Sequence, residues 1–350
     1  MLEAIREPSC WDSLAKTKKP IVLYGMGNGA DSILDVLEQR GIRAQAVFAS
    51  DGFVRGHSFR GFPVRSYDEV CREFGEFVIL LSFAVHHSGM LDRIRELSSI
   101  HELYAPDVPV AGDGLFTREY LAQHEAEFDR AYQLLADEQS RKVFLEVLRF
   151  KVSGNPAHLF CCQTDKDEAW QLLNPSTQED FVDLGAYDGD TIRELLAHTG
   201  GCYRRILALE PDEKNFRKLT RNTQGFVNID LLQVAAWDRP ATLLLSKRGG
   251  RNSRLAQQGE PVRADALDNL ANHPVSLLKL DVEGSEARAL DGARQTIRRD
   301  RPKLYLCAYH RNEDLFALPL QLESISPGYR IFLRHHPYVP AWETNFYCLP

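Results

Sequence analysis

Short apolar runs alternate with stretches of helical periodicity along most of this chain, and this alternation predicts an α/β protein. The first unit combines the apolar run Ile21–Tyr24, a glycine-rich turn at residues 25–30, and apolar residues at helical spacing up to Leu37. Further strands are predicted at residues 44–49, 77–82 and 103–104, with a helix at residues 90–97. These elements predict a small N-terminal α/β domain of residues 1–112.

The pattern becomes purely helical after this domain. Residues 117–154 are rich in Leu, Ala, Glu, Arg and Gln, and their apolar side chains recur on one face of each predicted helix. Gly154 and Pro156 then end the helical pattern. We therefore expect a helical hairpin, residues 113–156, as a linker between two domains.

Strand and helix alternate again in residues 157–350, the predicted second domain. Strands are expected at residues 181–184, 206–209, 229–236, 241–245, 275–280 and 304–309. The last two apolar runs, 329–334 and 345–349, have no helix between them and predict a β-hairpin. A mostly parallel sheet that ends in an antiparallel hairpin is the class I methyltransferase architecture.

The run at residues 181–191 is Phe-Val-Asp-Leu-Gly-Ala-Tyr-Asp-Gly-Asp-Thr, a strand followed by a glycine turn and a helix. Its spacing, D-x-G-x-x-x-G, suits an amine-bearing zwitterion better than a pyrophosphate, and it indicates S-adenosylmethionine as the cofactor. The candidate cofactor-binding residues in this run are Asp183, Gly185, Ala186, Asp188, Gly189 and Thr191. The alternative for Asp183 is an aspartate that only stabilises the turn.

Acidic residues also end the next strands, where open α/β sheets bind their ligands. Glu210, followed by Pro211 and Asp212, is placed to accept hydrogen bonds from the ribose hydroxyls; the alternative is a surface acid. Ala236, Trp237 and Asp238 follow another strand, where the adenine ring is expected. Trp237 and Asp238 are equally compatible with a packing side chain and an Asx turn.

Residues 279–286 read Lys-Leu-Asp-Val-Glu-Gly-Ser-Glu, and this K-x-D-x-E-G-x-E run resembles the signature of the FkbM family of S-adenosylmethionine-dependent methyltransferases. Other similar stretches are residues 181–191, 210–212, 267–268, 309–310, 313–315, 329–335 and 343–344. The resemblance covers roughly the C-terminal half, and the upstream domain and helices also resemble a two-domain arrangement within that family. It implies methylation of a hydroxyl on a sugar, polyketide or other secondary metabolite.

Three residues are expected to act on the acceptor. Lys279 and Asp281 point to the same side of their strand and are predicted to orient it. His310, at the end of the next strand, is predicted to accept the hydroxyl proton, since an imidazole titrates near neutral pH; the alternative is a structural histidine.

Charged residues elsewhere are weaker candidates. Glu283 and Glu286 are expected first to favour the start of a helix. A divalent metal on Asp281 and Glu283 is an alternative, but no histidine lies within the 279–286 run, so no metal site is predicted there. Glu283 is also a candidate acceptor-binding residue. Arg254, Arg334 and His335 are candidates to hold an anionic acceptor or a phosphate carried by it, or they are ordinary surface charges.

The N-terminal domain has two readings of its own. The dinucleotide fingerprint of a Rossmann-like domain is satisfied by Gly25, Gly27 and Ala30, together with Asp51 after the next strand. One interpretation is that these residues bind a nucleotide such as a nucleotide sugar. The other is that the glycines only form a tight turn. Two other functions therefore compete with methyl transfer. One is an NAD(P)-dependent sugar-modifying enzyme, although no Tyr-x-x-x-Lys partner is present downstream; the other is a non-catalytic nucleotide or glycan sensor.

Composition excludes several classes of protein. The formal net charge of −7 argues against nonspecific nucleic-acid binding, which requires a basic surface. No apolar run is long enough to span a membrane, and no signal peptide is recognisable. The seven cysteines are scattered and odd in number, which is typical of reduced thiols and favours a cytoplasmic location.

Overall fold

The structure is a computed structural model that describes residues 4–112, 114–246 and 259–350, together with the backbone of residues 254–255. Its α-helices are α1 (Cys10–Lys16), α2 (Asn28–Gln39), α3 (Tyr67–Phe74), α4 (Ser88–Ile100), α5 (Arg118–Gln123), α6 (Glu125–Gln133), α7 (Glu138–Ser153), α8 (Ala157–Phe160), α9 (Lys166–Leu173), α10 (Asp190–His198), α11 (Glu213–Asn222), α12 (Leu267–Leu270), α13 (Glu286–Asp291), α14 (Arg294–Asp300) and α15 (Asp314–Ile325). Among the described residues, none of these helices has both the length and the apolar character needed to cross a bilayer.

Seventeen strands are described, and they form three sheets. They are β1 (Ile21–Tyr24), β2 (Ala46–Phe48), β3 (Ser58–Phe59), β4 (Phe62–Arg65), β5 (Val78–Leu81), β6 (Glu102–Tyr104), β7 (Asp180–Leu184), β8 (Arg205–Leu209), β9 (Ile229–Leu232), β10 (Ala235–Ala236), β11 (Ala241–Ser246), β12 (Arg254–Leu255), β13 (Glu260–Asp265), β14 (Leu277–Leu280), β15 (Lys303–Cys307), β16 (Arg330–His335) and β17 (Thr344–Leu349).

The N-terminal sheet has the strand order β3–β4–β2–β1–β5–β6, and its pairs are parallel except for β3 with β4. The central strands β1 and β5 are buried along their whole length, which explains why they appear in the sequence as continuous apolar runs. The hairpin β3–β4 was not predicted, because Pro63 interrupts a short and partly exposed segment.

The C-terminal sheet has the order β16–β17–β15–β14–β7–β8–β9. All its pairs are parallel except those made by β17, which runs antiparallel to both neighbours. The predicted class I methyltransferase architecture, a mostly parallel sheet with a terminal antiparallel hairpin, is therefore confirmed.

A smaller sheet of order β10–β13–β11–β12 corrects one predicted strand. The apolar run at residues 229–236 is divided between two sheets: β9 pairs with β8, whereas β10 pairs with β13. The chain turns between them, where the Val234 N–H donates to the carbonyl of Leu232. A run of apolar residues alone gives no sign of such a change of partner.

The helical segment forms three helices, α5 to α7, rather than the predicted two-helix hairpin, since a break at His124 separates α5 from α6. α6 packs on α15, and α7 packs on β16 of the C-terminal sheet. Phe128 of α6 lies against Phe316 of α15, with ring centroids 4.8 Å apart. These helices follow the N-terminal sheet in the chain, and they cover the C-terminal sheet.

Two backbone contacts join the sheets directly. Val85 and Val339 form an antiparallel bridge with N···O distances of 2.7 and 2.9 Å. The Ala111 N–H donates to the carbonyl of His310 at 2.9 Å. Because buried backbone groups need partners, these bonds hold the carboxyl ends of the two sheets close to each other.

A buried ion pair fixes α7 against β16. Arg334, only 4% exposed, donates to Asp137 at 2.6 Å and to the Ser140 hydroxyl at 2.9 Å. Burial alone would raise the pKa of Asp137, but Arg334 and Ser140 lower it to about 2. Asp137 is also the N-cap of α7, so one carboxylate starts the helix and binds the sheet.

We expect Arg334→Met to lower the free energy of unfolding by about 1–3 kcal/mol, because it leaves buried acceptors without their donor. The loss is limited because the Asp137 side chain is 34% exposed, so water replaces part of the lost bonding. Urea denaturation would measure the change. Arg217→Met, which breaks the exposed pair with Glu213, is the control and should change stability by less than about 0.5 kcal/mol. Equal effects of the two substitutions would contradict the structural role of Arg334.

Candidate active site

The glycine turn after β7 is shaped by the neighbouring strand. Gly185 has a φ of +84°, and a Cβ there would lie 1.8 Å from the carbonyl oxygen of Asp281. The sequence analysis predicts that this glycine allows a ligand to approach closely. The structure shows instead that the backbone at Gly185 lies close to the backbone at Asp281. Gly189, with a φ of +85°, then starts α10 in the left-handed conformation.

A buried ion pair lies beneath this turn. The ammonium group of Lys279 is 3.0 Å from a carboxylate oxygen of Asp183 and donates to the carbonyl of Gly185 at 2.8 Å. Burial raises the pKa of Asp183 to about 6, although the positive charge of Lys279 opposes this shift. Burial would lower the pKa of Lys279, but the negative charges of Asp183 and Asp281 outweigh it and raise that pKa. Both groups are therefore charged at neutral pH, and Asp183 acts on the site indirectly, by holding Lys279.

Glu210 follows β8 and closes the other side of the turn. Its carboxylate accepts the N–H groups of Tyr187 and Asp212, each at 2.9 Å. Burial raises the pKa of the Glu210 carboxyl to about 7, although both N–H groups favour the charged form. The unused lone pairs of this carboxylate remain for a ligand.

These groups surround one cavity, called here the central cavity. It is lined by Gly185, Tyr187, Asp190, Glu210, Pro211, Asn215, Ala235, Ala236, Leu245, Lys279, Asp281, Val282, Glu283, Ser285, Tyr309 and Glu343. Seven predicted site residues are brought together in it: Gly185, Glu210, Pro211, Ala236, Lys279, Asp281 and Glu283.

Other lining residues were missed by the sequence reasoning. Tyr187 and Asp190 lie within the quoted 181–191 run, and Tyr309 and Glu343 lie within the quoted family stretches, so a local signal existed for these four. Asn215, in the first turn of α11, carries no such signal.

Several predicted cofactor residues have other partners. Asp188 pairs with Arg193 at 2.9 Å, and Asp212 caps α11 by accepting the Asn215 N–H. Ala186 and Thr191 are buried beside the turn. Asp238 pairs with Arg288 at 2.8 Å, and the same guanidinium lies over the Trp237 ring. None of these side chains lines the central cavity.

His310 lies beside the cavity among three carboxylates, and these four residues are called the His310 cluster. Nδ1 is 2.9 Å from Glu286, and Nε2 is 3.5 Å from Asp281 and 3.7 Å from Glu283. Burial would lower the pKa of His310, but the carboxylates, Glu286 above all, raise it to about 10. His310 therefore already holds a proton at neutral pH, and this geometry does not support its predicted role as a base.

The predicted acceptor-binding residues of the terminal hairpin lie away from the cavity. Arg334 is engaged by Asp137, and His335 is fully buried, with its ring nitrogens bonded to the Thr344 hydroxyl and the Tyr338 carbonyl. Burial lowers the pKa of His335 to about 3, so it is neutral. The two residues stabilise the hairpin, and neither lines the central cavity. The side chain of Arg254 lies outside the described residues.

The glycine-rich turn of the N-terminal sheet borders a second space, about 870 Å³ in volume and called here the inter-sheet cleft. A Cβ on Gly25 would lie 2.4 Å from Phe83, and one on Gly29 would lie 2.2 Å from the Ser82 carbonyl. Packing therefore accounts for both glycines, while a Cβ on Gly27 would meet nothing. Asp51 lies in the exposed turn Asp51–Phe53 and does not line the cleft.

Glu283 lines both the central cavity and the inter-sheet cleft, so the two spaces adjoin. The charged side chains described along the cleft are all acidic: Asp31, Asp35 and Glu283. Arg60 pairs with Asp35 at 2.5 Å and with Asp31 at 3.7 Å but does not itself line the cleft. Its other walls include Phe83, several prolines and Trp342.

Comparison with known proteins identifies the C-terminal part. Residues 183–338 match the Methyltransferase FkbM domain, and this span contains Lys279, Asp281 and His310. The chain carries an FkbM methyltransferase domain. The structure of methyltransferase FkbM from Methylobacillus flagellatus KT is similar over 99% of this chain and 94% of that one, with a TM-score of 0.74 and 24% identity. That likeness extends the shared fold to the N-terminal sheet.

Two other solved structures align with about half of the chain. An rRNA methylase from Streptococcus thermophilus aligns with 56% of this chain and 98% of its own, at a TM-score of 0.35 and 14% identity. Aeropyrum pernix fibrillarin in complex with S-adenosyl-L-methionine aligns with 53% of this chain and 74% of its own, at a TM-score of 0.34 and 14% identity. No curated protein matched the sequence.

The buried pair of the FkbM domain gives a direct stability test. Lys279→Met leaves the Asp183 carboxylate buried without its partner, so we expect the free energy of unfolding to fall by about 3–5 kcal/mol. Asp183→Asn/Lys279→Met removes both charges and should regain part of this loss. Chemical denaturation of both variants measures the coupling.

Lys214→Met, a substitution of an exposed lysine on α11, is the matched control and should leave stability nearly unchanged. A Lys279→Met protein as stable as the unsubstituted chain would show that the pair does not hold the turn.

Proposed function

We propose that the FkbM domain transfers the methyl group of S-adenosylmethionine to a hydroxyl oxygen of a sugar, a glycan or a secondary metabolite. The observation that carries the proposal is the charge of the central cavity. Five carboxylates line it, those of Asp190, Glu210, Asp281, Glu283 and Glu343. Lys279, the one basic side chain among the described lining residues, is already engaged by Asp183.

Such a cavity favours a ligand that carries positive charge. S-adenosylmethionine has a sulfonium and an ammonium group against one carboxylate, whereas a pyrophosphate would meet carboxylates of its own sign. An NAD(P) or nucleotide-sugar ligand is correspondingly disfavoured in this cavity. The family match supports the same cofactor.

The individual contacts of the cofactor follow from the lining residues. The Glu210 carboxylate lies beside the glycine turn and would accept the ribose hydroxyls. Asp190, at the start of α10, would face the ammonium group. Ala236 and Leu245 offer apolar surface to the adenine, in place of Trp237 and Asp238, which do not line the cavity.

The acceptor is proposed to enter through the inter-sheet cleft, because Glu283 joins that cleft to the central cavity. Trp342, Phe83 and the prolines provide flat apolar surface for a ring, and the acids provide acceptors for hydroxyl groups. A diphosphate would find no basic side chain among the described lining residues. The cleft therefore supports an uncharged, hydroxyl-bearing acceptor rather than a nucleotide sugar.

Transfer itself is a displacement in line at the methyl carbon. The acceptor oxygen forms the new C–O bond, the C–S bond breaks with its electron pair going to sulfur, and the hydroxyl proton passes to water. Positioning supplies much of the rate in such a reaction. Asp281, whose partly exposed carboxylate faces the cavity, is proposed to orient the acceptor, and Lys279 and His310 to hold Asp281 in place.

The first prediction concerns Glu210 and cofactor affinity. Glu210→Gln should weaken binding of S-adenosylhomocysteine at pH 8 by about 1.5–3 kcal/mol, the usual contribution of hydrogen bonds to a charged group. Glu213→Gln, three residues away and exposed, is the control. Calorimetry on the folded variants decides, and an unchanged affinity in Glu210→Gln would remove Glu210 from the site.

The pH dependence of this binding has a defined sign. The Glu210 pKa is raised to about 7, and the ribose hydroxyls bind the charged form better, so affinity should fall by about tenfold from pH 8 to pH 6. Glu210→Gln has no proton to gain at position 210, and burial raises the pKa of Glu283 in the same cavity to about 7, so the affinity of the variant should fall less steeply over this range. A parallel fall in both proteins would assign the titration to another group.

The second prediction concerns the acceptor. In a panel of uncharged glycosides and nucleotide sugars, turnover followed by release of S-adenosylhomocysteine should appear with an uncharged acceptor. Trp342→Ala should then raise the KM for that acceptor by about tenfold, through lost stacking, without changing cofactor affinity. Phe53→Ala, an exposed aromatic away from the cleft, is the control.

Turnover restricted to nucleotide sugars would contradict the proposed acceptor class and restore the nucleotide interpretation of the N-terminal turn. Cofactor binding without turnover across a broad acceptor panel would instead favour the sensor function.

A further inference from the structure

We propose that Asp281, Glu286 and His310 form a binding site for a divalent metal cation at the border between the central cavity and the inter-sheet cleft. The site's role in methyl transfer rests on the proposed function, but cation binding itself does not. This set of three ligands is not predicted from the sequence, because His310 is separated from the 279–286 run by β15.

The three residues converge closely enough to share one ion. One ligand atom from each, a carboxylate oxygen from each acid and a ring nitrogen from His310, lies within 4.8 Å of the others. Such ions bind nitrogen and oxygen ligands at about 2.0–2.2 Å, so neighbouring ligands lie about 3–4 Å apart. An ion would take one of the two ring nitrogens of His310: Nδ1 is 2.9 Å from Glu286, whereas Nε2 is 3.5 Å from Asp281.

The buried side chains of this site also have unused bonding capacity. Glu286 is 1% exposed and His310 is 2% exposed. Although His310 Nδ1 lies 2.9 Å from Glu286 Oε1, neither Nδ1 nor the second oxygen, Oε2, makes a hydrogen bond within the described residues. Buried polar atoms without partners are rare, and a cation among them would supply one.

The surroundings fix the ligands and supply excess negative charge. Glu286 Oε1 accepts the N–H groups of Val282 at 2.9 Å and Gly284 at 3.4 Å, which holds the carboxylate in place. The carboxylate of Glu283 lies 3.7 Å from His310 on the side of the central cavity and adds a further negative charge. Against these acids, Lys279 is 3.9 Å from Asp281 and already pairs with Asp183.

The donor set indicates the class of ion. Two carboxylates and one imidazole suit a first-row divalent cation such as Mn²⁺ or Zn²⁺ better than Ca²⁺, which prefers six to eight oxygens. Binding would displace the proton that His310 holds in the metal-free protein. Because Asp281 is the ligand that faces the central cavity, an ion there would have its open positions toward the acceptor. It would hold the acceptor oxygen and make its hydroxyl proton easier to lose.

The test is titration of the full chain, first freed of metal with a chelator, with MnCl₂, MgCl₂ and ZnCl₂ by calorimetry, and with Mn²⁺ by electron paramagnetic resonance. We expect one equivalent of Mn²⁺ or Zn²⁺ to bind. Glu286→Gln and Asp281→Asn should each weaken binding by at least tenfold. Glu313→Gln, an exposed acid close in sequence to His310, is the control and should bind as tightly as the unsubstituted chain.

Absence of binding to the unsubstituted chain at millimolar metal would overturn the proposal without recourse to any variant. So would binding that persists in both Glu286→Gln and Asp281→Asn, because the ion would then lie elsewhere. Titration with S-adenosylhomocysteine in the presence of chelator separates this proposal from the proposed function. If S-adenosylhomocysteine does not bind in that titration, but Mn²⁺ binds in the separate metal titration, the proposed cofactor is rejected and the metal site is retained.

Discussion

The buried charge of Lys279 is the constraint on which the rest of the site depends. An ammonium group in the interior costs several kcal/mol unless it is paired, and here its partners lie on the adjacent strand and in the turn that follows it. Lys279 of β14 stands opposite Asp183 of β7 in register, and its second partner is the carbonyl of Gly185. A slip of either strand would leave both charges unpaired, so the pair fixes the register and, through it, the shape of the glycine turn.

The positions of the site residues along the chain explain how much of the site could be predicted from the sequence. Strand, turn and helix are local patterns, and ligands collect at the carboxyl ends of parallel strands, so Glu210 and Asp281 were found from position alone. Tyr309 and Glu343 reach the same cavity from distant elements, whose meeting depends on the order of the strands. Arg334 and His335 were assigned to the acceptor because nothing in the hairpin reveals that α7 covers Arg334 and that the hairpin buries His335.

The glycines of these turns also show why the cause of a sequence feature is not visible in the sequence. Gly185 and Gly25 occupy positions at which nucleotide-binding turns place their glycines, and Gly29 lies in the same turn as Gly25. Each is required here by protein atoms: the Asp281 carbonyl, Phe83 and the Ser82 carbonyl, respectively. Gly27 alone among the glycines at 25, 27 and 29 faces open space. A glycine required by packing and one required by a ligand look identical in a sequence, so only the structure separates the two.

The spacing of the 279–286 run follows from distinct physical demands made within eight residues. Lys279 points inward to its buried partner, and Asp281, two residues on, reaches the cavity from the end of the same strand. Glu283 then takes a φ of +53°, a conformation that costs a non-glycine residue roughly 1–3 kcal/mol, and lies where cavity and cleft meet.

Gly284 and Glu286, which follow in the same run, account for that strain. Gly284 lies so close to Ala111 of the N-terminal half that a Cβ would come within 2.5 Å. Glu286 turns back to accept N–H groups from this same loop and to contact His310. The loop is thus held from both sides, by the Ala111 contact and by Glu286, and these contacts offset the strain at Glu283. The run therefore couples the two halves of the chain at the point where cofactor and acceptor are proposed to meet.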